Sequence, residues 1–392
     1  MRVAHVITRM IVGGAQENTL FNCRDLVAMY GDEVLLITGP ALGPEGDLLL
    51  AGDAPLPFAV AEVPALRRAI HPWRDLASYR AVKRLLREFR PDVVHTHSAK
   101  GGVIGRVAAW SLDVPAIIHT VHGAPFHPYQ RWWARLPFQW AERFAARRCH
   151  ALVSVADAMT ELLVDARVAP RSKFITIHSG MDVEPFLAAD RWRDATRREL
   201  GFRPDDVVIG KIARLFHLKG HEFVLEAAQR VVAACPAVRF LFVGDGVLRG
   251  ELERRAAEAG LADHFRFTGL VPPSRIPALV GAMDILVHAS LREGLARALP
   301  QALIAGKPAV SFDVDGAREV VISGETGWLV PPLAVDQLAD ALIRLAVSPE
   351  ERTRLGGQGR ARFTDQFRHE TMTRRLRELY GRILSGGVVQ PG

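Results

Sequence analysis

Cysteine is scarce in this chain of 392 residues, with three in all. Cys23, Cys149 and Cys235 are widely spaced and odd in number. That argues against a disulfide framework or a cysteine-based zinc site and for a reducing cytoplasm. No apolar run reaches the roughly 18–20 residues needed to cross a bilayer. The first run, in Met1–Ile7, is too short for a signal peptide and reads as an opening strand. There is no tract rich in Lys and Arg and no basic motif interleaved with aromatics, so nucleic acid is not an expected partner. What is present is a hydrophobic fraction of 49% beside 24% charged residues, the balance of a soluble globular protein. The net charge of +7 is modest. It suits anionic ligands such as nucleotides, or a negatively charged membrane surface.

Strand-like runs alternate with helical ones, the pattern of parallel sheets covered on both faces. Arg2–Ile7, Glu33–Thr38, Asp92–Thr96, Ala116–Thr120, Ala151–Val155 and Phe174–His178 read as strands. Ala15–Met29, Asp75–Phe89 and Gly102–Trp110 read as helices, and Gly39–Pro64 as loop. The segment Gly180–Asp206 is polar and broken by Pro185, Gly201 and Pro204, which marks a connector. Alternation restarts with the strand Val207–Ile212, the helix His221–Ala234 and the strand Arg239–Val243, and continues to Trp328–Val330. Ala334–Val347, Glu350–Phe367 and His369–Leu384 read as closing helices. The expected fold class is α/β, with one doubly wound parallel-sheet domain over residues 1–185 and a second over 206–368.

The stretch from Ser290 to Pro308 concentrates the chemistry. It follows the apolar run Asp284–Ala289 and leads into a helical segment, Ala298–Ala305, closed by Gly306 and Pro308. Glu293, Gly294 and Arg297 thus stand where a strand's carboxyl end meets a helix start, the ligand crevice of an open α/β sheet. Arg214 and Lys219 follow the first strand of the second domain. Two cations there can hold a diphosphate, or form a plain solvated loop. Gly244, Gly246 and Gly250 resemble a dinucleotide fingerprint, but in mid-chain they read as a nucleotide-side turn and not as an NAD site. Gly13 and Gly14 either let backbone amides approach a phosphate or sugar, or form an ordinary tight turn.

His95 and His97 share one strand end, and His119 and His122 flank the next. A metal site and a set of satisfied structural histidines both fit. The absence of a nearby cysteine and of an i,i+4 histidine pair favours the second. His122, just before Gly123, is the one singled out. Trp133, Leu136, Trp140 and Phe144 recur at helical spacing, with Arg131 and Arg135 on the opposite side. Core packing under a charged face and a helix lying in a membrane interface both fit that stripe. Pro137 is expected to interrupt the helix.

Several of these features resemble the family-4 group of retaining glycosyltransferases with GT-B architecture, over nearly the whole chain. They are Ala213-Arg-Leu with Lys219-Gly, Phe242-Val-Gly-Asp-Gly246, Ser290 with Glu293-Gly294 running on to Gly306-Lys-Pro, and Thr120-Val-His-Gly. The resemblance implies two Rossmann-like domains facing each other across a cleft, with His369–Leu384 returning to the first. It implies that Arg214 and Lys219 neutralise the leaving diphosphate and that Glu293 binds hydroxyls of the transferred sugar. Amides of Gly294, Leu295, Ala296 and Arg297 would hold sugar and phosphate, with Leu270 by the base beside the Gly244–Gly246 turn. His122 would reach the sugar from the other domain, and Gly13 and Gly14 would line the cleft. The substrates implied are a nucleotide-sugar, most simply UDP-linked, and a sugar or lipid-linked acceptor in surface polysaccharide synthesis. No cofactor and no metal are implied, and the place of action is the cytoplasm or the inner membrane surface.

Breaking a glycosidic C–O bond builds positive charge on the sugar and negative charge on the phosphate, which fixed cations and helix-end dipoles stabilise. A retaining hydrolase uses two carboxylates about 5–5.5 Å apart. Only Glu293 stands as a candidate, so front-face transfer is expected, in which the leaving phosphate helps take the acceptor's proton. The chain departs from the family at Gln301, where a second Glu usually stands eight positions after the first. An amide offers one acceptor oxygen where a carboxylate offers two, a loss on the order of 1 kcal/mol, or roughly fivefold in affinity. Ala296 also departs, from a usual Gly or Pro. Two rivals share the architecture: a UDP-N-acetylhexosamine 2-epimerase, which would form product from donor alone, and a non-catalytic nucleotide-sugar-binding protein.

Overall fold

A computed structural model describes residues 1–42, 55–126 and 130–387. The chain divides into two compact units, one of residues 1–181 with 366–392 and one of residues 182–365. In the first, seven parallel strands are ordered β3-β2-β1-β4-β5-β6-β7. They are β1 (Arg2–Ile7), β2 (Glu33–Thr38), β3 (Ala59–Glu62), β4 (Val93–His97), β5 (Ala116–Val121), β6 (Ala151–Ser154) and β7 (Phe174–Thr176). In the second, six parallel strands are ordered β10-β9-β8-β11-β12-β13. They are β8 (Val207–Ile212), β9 (Val238–Val243), β10 (Phe265–Phe267), β11 (Ile285–His288), β12 (Ala309–Phe312) and β13 (Gly327–Val330). Both units are doubly wound Rossmann-like sheets, as expected. Strand order reverses between β1 and β4 in one and between β8 and β11 in the other, and such reversals open the crevice where this architecture binds ligands.

The strands are apolar because helices cover both faces. Val3, Val6, Val93, Ile118 and Val153 fill the first core, and Ile209, Phe240, Phe242, Val287 and Val310 the second. The exceptions gather toward the carboxyl ends near the reversals. His5, His95, His97, His119, Lys211 and His288 are all buried in strands.

Three elements differ from expectation. Within the expected loop 39–64, β3 pairs with β2 in register Leu35↔Ala59 to Thr38↔Glu62; the part of that loop between residues 43 and 54 lies outside the described residues. The expected connector is folded as well, carrying the helix Arg193–Glu199. Arg193 and Arg197 each place a nitrogen 2.5 Å from a carboxylate oxygen of Asp284, at the foot of β11. Proline and glycine break this segment without freeing it, because two guanidinium groups converge on one carboxylate.

The third is the tryptophan-rich segment. It runs unbroken as the helix Trp132–Ala146 with Pro137 inside it, at the cost of one backbone hydrogen bond. Its buried residues are Glu142, Ala145 and Ala146. Glu142 meets Arg106 of the neighbouring helix Ala99–Trp110 at 2.8 Å. That ion pair and the small alanines set the inward face, so the aromatic stripe does not pack in a core. Trp132, Trp133 and Trp140 are 67%, 57% and 66% exposed.

The closing helix His369–Leu384 lies within the first unit, buried through Met372, Leu376, Leu379 and Tyr380. Polar contacts hold it to the helix Gly14–Tyr30: His369 and Thr373 both reach Asp25, at 2.8 and 2.9 Å.

Candidate active site

At the β8/β11 reversal of the second unit two loops leave adjacent strands, and each brings one charge. Lys219 Nζ stands 2.5 Å from Glu293 Oε1. Backbone contacts fix both loops. Leu291 donates its N–H to the Leu218 carbonyl at 2.9 Å. Gly220 has φ +67°, and a Cβ on it would lie 1.7 Å from the Ala289 carbonyl oxygen. Only glycine allows so close a crossing. Leu218 beside it also has φ +67°, an unusual conformation for a bulky residue and one met at ligand sites.

Glu293 is held from the other side too. Its N–H donates to Asp315 Oδ2 at 2.6 Å, and Gly316 N–H donates to the Gly294 carbonyl at 3.1 Å. The space behind it, lined by His288, Ser290, Ala296, Leu299 and Phe312, is too narrow for a water. A carboxylate so fixed is preorganised for a ligand.

Burial alone would raise the Glu293 pKa. His288, whose Nε2 lies 3.6 Å from Oε1, and Lys219 outweigh that and bring it to about 2. At 3.6 Å the imidazole acts through space and not through a hydrogen bond. Glu293 is therefore a fixed anion at neutral pH. Beneath it lies Lys211 on β8, fully buried, its Nζ without a hydrogen-bond partner. Burial lowers its pKa to about 7, against the opposing pull of Glu293. His221 is buried with both ring nitrogens unpartnered, and burial lowers its pKa to about 2.

The other anticipated residues of this unit fall around the same reversal. Arg214 is exposed in the loop after β8, its Cζ 5.3 Å from the Phe216 ring. Gly244, at φ +135°, would clash with the Ala213 carbonyl if it carried a Cβ, which ties the β9 turn to the Arg214 loop. Leu215 N–H donates to the Asp245 carbonyl at 2.9 Å, and Leu248 N–H to the Leu215 carbonyl at 3.0 Å. Gly246 lies in this turn, and Gly244 bridges Gly269, so that Leu270, 60% exposed, follows at the same edge. Gly294, Leu295 and Arg297 are half-buried in the loop after β11, while Ala296 is buried. The helix after them is Ala298–Ile304, one residue shorter than expected, with Gln301 half-buried on it.

The sequence reading missed Lys211, His221, His288 and Asp315. A lysine inside an apolar strand was the available signal for the first. The chain also carries one Asp-x-Asp triplet, Asp313–Asp315, which the expectation of no metal passed over. Asp313 takes two hydrogen bonds from Arg318, each 3.0 Å long, and Asp315 holds the Glu293 amide. Asp315 is thus a second carboxylate beside Glu293, its pKa raised mainly by burial.

In the first unit Gly13 caps the Gly14–Tyr30 helix at φ 172°, extended backbone open to any residue. A Cβ there would meet only the tip of the Gln16 side chain, so the fold itself does not call for glycine. His122 follows β5, its Nε2 3.1 Å from His97 Nδ1. His5, His95 and His97 place ligand atoms within 4.8 Å of one another, the one group among the described residues with the spacing of a metal site. Both nitrogens of His95 are engaged, with Tyr380 at 2.5 Å and Thr120 at 2.7 Å. His119 bonds Thr96 at 2.9 Å. These contacts are those of hydrogen-bonded structural histidines.

Comparison with known proteins finds two family models. Residues 12–185 match Glycosyltransferase Family 4, and residues 193–362 match Glycosyl transferases group 1. An Escherichia coli protein, UDP-Gal:alpha-D-GlcNAc-diphosphoundecaprenol alpha-1,3-galactosyltransferase, is 29% identical over 88% of this chain and 88% of its own. The 2-deoxystreptamine glucosyltransferase of Streptomyces kanamyceticus is 28% identical over 80% and 83%. Anabaena HepE, solved in complex with UDP-glucose, superposes with a TM-score of 0.81 over 97% of this chain and 99% of its own, at 20% identity.

Proposed function

Because the chain belongs to the family 4, group 1 glycosyltransferases and has their GT-B fold, we propose that it transfers a sugar with retention from a UDP-sugar to a lipid-linked or saccharide acceptor of a surface polysaccharide, without a metal. The observation that carries this is the Lys219–Glu293 pair at the β8/β11 reversal.

Glu293, held as a carboxylate, accepts hydrogen bonds from hydroxyls of the transferred sugar. Lys219 has three donors, so it keeps Glu293 with one and offers the others to the leaving diphosphate. Arg214 adds a planar fork. As the C1–O bond lengthens, charge builds on the diphosphate oxygen and these cations stabilise it without reorganising. Asp315 accepts the Glu293 amide N–H, Glu293 is the carboxylate assigned to the ligand, and front-face transfer is the mechanism proposed. Amides of Gly294–Arg297 hold sugar and phosphate, Leu270 and the Gly244–Gly246 turn border the base, and Gln301 meets the ribose. UDP is chosen because a relative is named for UDP-Gal and a solved neighbour carries UDP-glucose.

A lipid-linked acceptor fits the exposed face of the Trp132–Ala146 helix. Exposed indole rings on one side of the helix and Arg131 and Arg135 on the other suit a membrane interface, and we assign it peripheral contact with an anionic bilayer. No helix among the described residues is long and apolar enough to cross one.

The test is a panel of UDP- and GDP-sugars scored for nucleotide release with and without a lipid-linked acceptor. Acceptor-dependent UDP release with retained anomeric configuration is expected. A changed sugar formed from donor alone would identify an epimerase, and UDP-sugar binding without turnover would identify a binding protein.

A further inference from the structure

One strand residue of the second unit is not explained by packing. Lys211 stands on β8 opposite Phe242 of β9 and is fully buried. Ile209, two residues earlier and so on the same face of the strand, belongs to the apolar core. An apolar chain would fill the place of Lys211 equally well, yet the fold keeps an amine there whose Nζ has no hydrogen-bond partner. Its surroundings share that trait. Among the described residues eleven buried side-chain nitrogens and oxygens lack a partner, and six of them belong to Lys211, His221, Glu222 and His288. Unmet polar atoms gathered at one ligand crevice mark a place arranged for a change of charge, since folding alone selects against them.

We propose that Lys211 is a proton-coupled positioning residue: when a nucleotide diphosphate enters the β8/β11 reversal and shares Lys219 with Glu293, Lys211 takes a proton from solvent and becomes a second cation balancing Glu293. This rests on the reading that Lys219 and Glu293 hold the donor.

The groups facing the amine set the sign of the coupling. Glu293, from the loop after β11, and Glu222, from the helix His221–Ala234, favour its charged form, while Lys219, from the loop after β8, opposes it. His221 and His288 are buried, and burial lowers the pKa of each, so neither adds a positive charge at neutral pH. In the empty site Lys219 already neutralises Glu293 at 2.5 Å. The buried amine then has little left to balance, and burial prevails over both carboxylates.

A diphosphate reverses that balance. It brings negative charge into the reversal and engages donors of Lys219, so the repulsion on Lys211 weakens while the pull of Glu293 remains. Nearby opposite charge moves a pKa by about 1–3 in the direction of the charged form. Burial leaves the empty site's amine at about 7, so the complex holds a proton that the free protein has mostly released just above neutrality. The charged amine favours the anion. Affinity is therefore full below the free protein's value of about 7 and falls as pH rises toward the higher value of the complex.

The test is UDP binding to the full chain by titration calorimetry, in two buffers of different ionisation enthalpy. At pH 8 the UDP phosphate, whose last pKa is about 6, exchanges no proton of its own. Uptake of roughly half a proton or more per UDP is expected from the native chain, and none from Lys211→Met. At pH 6.5 Lys211→Met should bind UDP roughly tenfold more weakly than the native chain, and the two affinities should converge by pH 9. A ratio that stays constant across that range would mark a packing role and overturn the proposal. So would UDP binding to the native chain without proton uptake, a result that needs no variant. Either outcome leaves the donor site standing. Failure of UDP to bind, or binding untouched by Lys219→Ala, removes the donor-site reading and the coupling with it.

Discussion

Between β1 and β4 the first sheet buries His5, His95 and His97, all uncharged and bonded to one another, to Tyr380 or to Thr120. Between β8 and β11 the second sheet buries Lys211 and His288, with Lys219 and Glu293 above them. The topology of the two reversals is the same, and in both the strands turn polar where a ligand would sit. Neutral imidazoles pair with each other, with Tyr380 and with Thr120, leaving His5 Nε2 without a partner, so burying them costs less than burying a charge. Charges behave otherwise. Glu293 is matched by Lys219, but Lys211 has no hydrogen-bond partner, and the second unit carries that cost. Destabilising groups kept at one place are a mark of function more than of folding.

Five substitutions break or sharpen that contrast, and the largest effect belongs to the charged reversal. Lys219→Ala or Glu293→Gln should lower kcat by about 10²–10³-fold, the usual cost of losing one preorganised charge partner. Steady-state kinetics with saturating donor would decide it, and a loss under tenfold would move the chemistry away from this pair.

Lys211→Met should stabilise the protein by about 1–4 kcal/mol, since a buried unpaired amine is replaced by an apolar chain of similar size. Folding lowers this amine's pKa from 10.5 to about 7, so between those values the unfolded chain binds the proton and the folded chain does not. Native stability therefore rises with pH across that window, and the rise should disappear in Lys211→Met. Urea titrations at pH 7 and pH 9.5 give both slopes. Equal slopes in the two proteins would mean that Lys211 finds a partner in solution.

Tyr380→Phe probes the neutral side. It removes the hydroxyl that His95 Nδ1 meets at 2.5 Å and should cost about 1–2 kcal/mol of stability, with nucleotide affinity unchanged in calorimetry. A fall in UDP affinity would show that the two reversals are not energetically separate. The smallest effect is expected at Gln301→Glu, which restores a carboxylate toward the ribose. UDP should bind up to about fivefold more tightly, and weaker binding would refute the ribose assignment.

Strand and helix boundaries could be read closely because apolar periodicity is local. β1, β2, β8 and the helix His221–Ala234 fall on the residues expected from pattern alone. Glu293, Lys219, Arg214 and Gly244 could be nominated because each follows a strand at a glycine-marked turn. The strand β3 escaped because Ala59–Glu62 is a four-residue edge strand with weak alternation. The connector escaped because its hold on the second unit comes from Arg193 and Arg197 meeting an aspartate 91 and 87 residues away.

By itself, then, the sequence determined the two doubly wound units, the family, and the loops where ligand chemistry belongs, since these rest on local periodicity, on turn-forming glycines and on short motifs. Tertiary structure alone decided which way side chains face and what they meet. It turned the Trp132–Ala146 helix outward, because the buried Arg106–Glu142 pair fixed the opposite face. It set Lys211 beneath Glu293, and it joined His5, His97 and His122 from three different strands or strand ends into one chain. Charge and hydrogen-bond pairing act through space over a few ångströms, and residues as distant in sequence as His95 and Tyr380 come within that range only when the chain has folded.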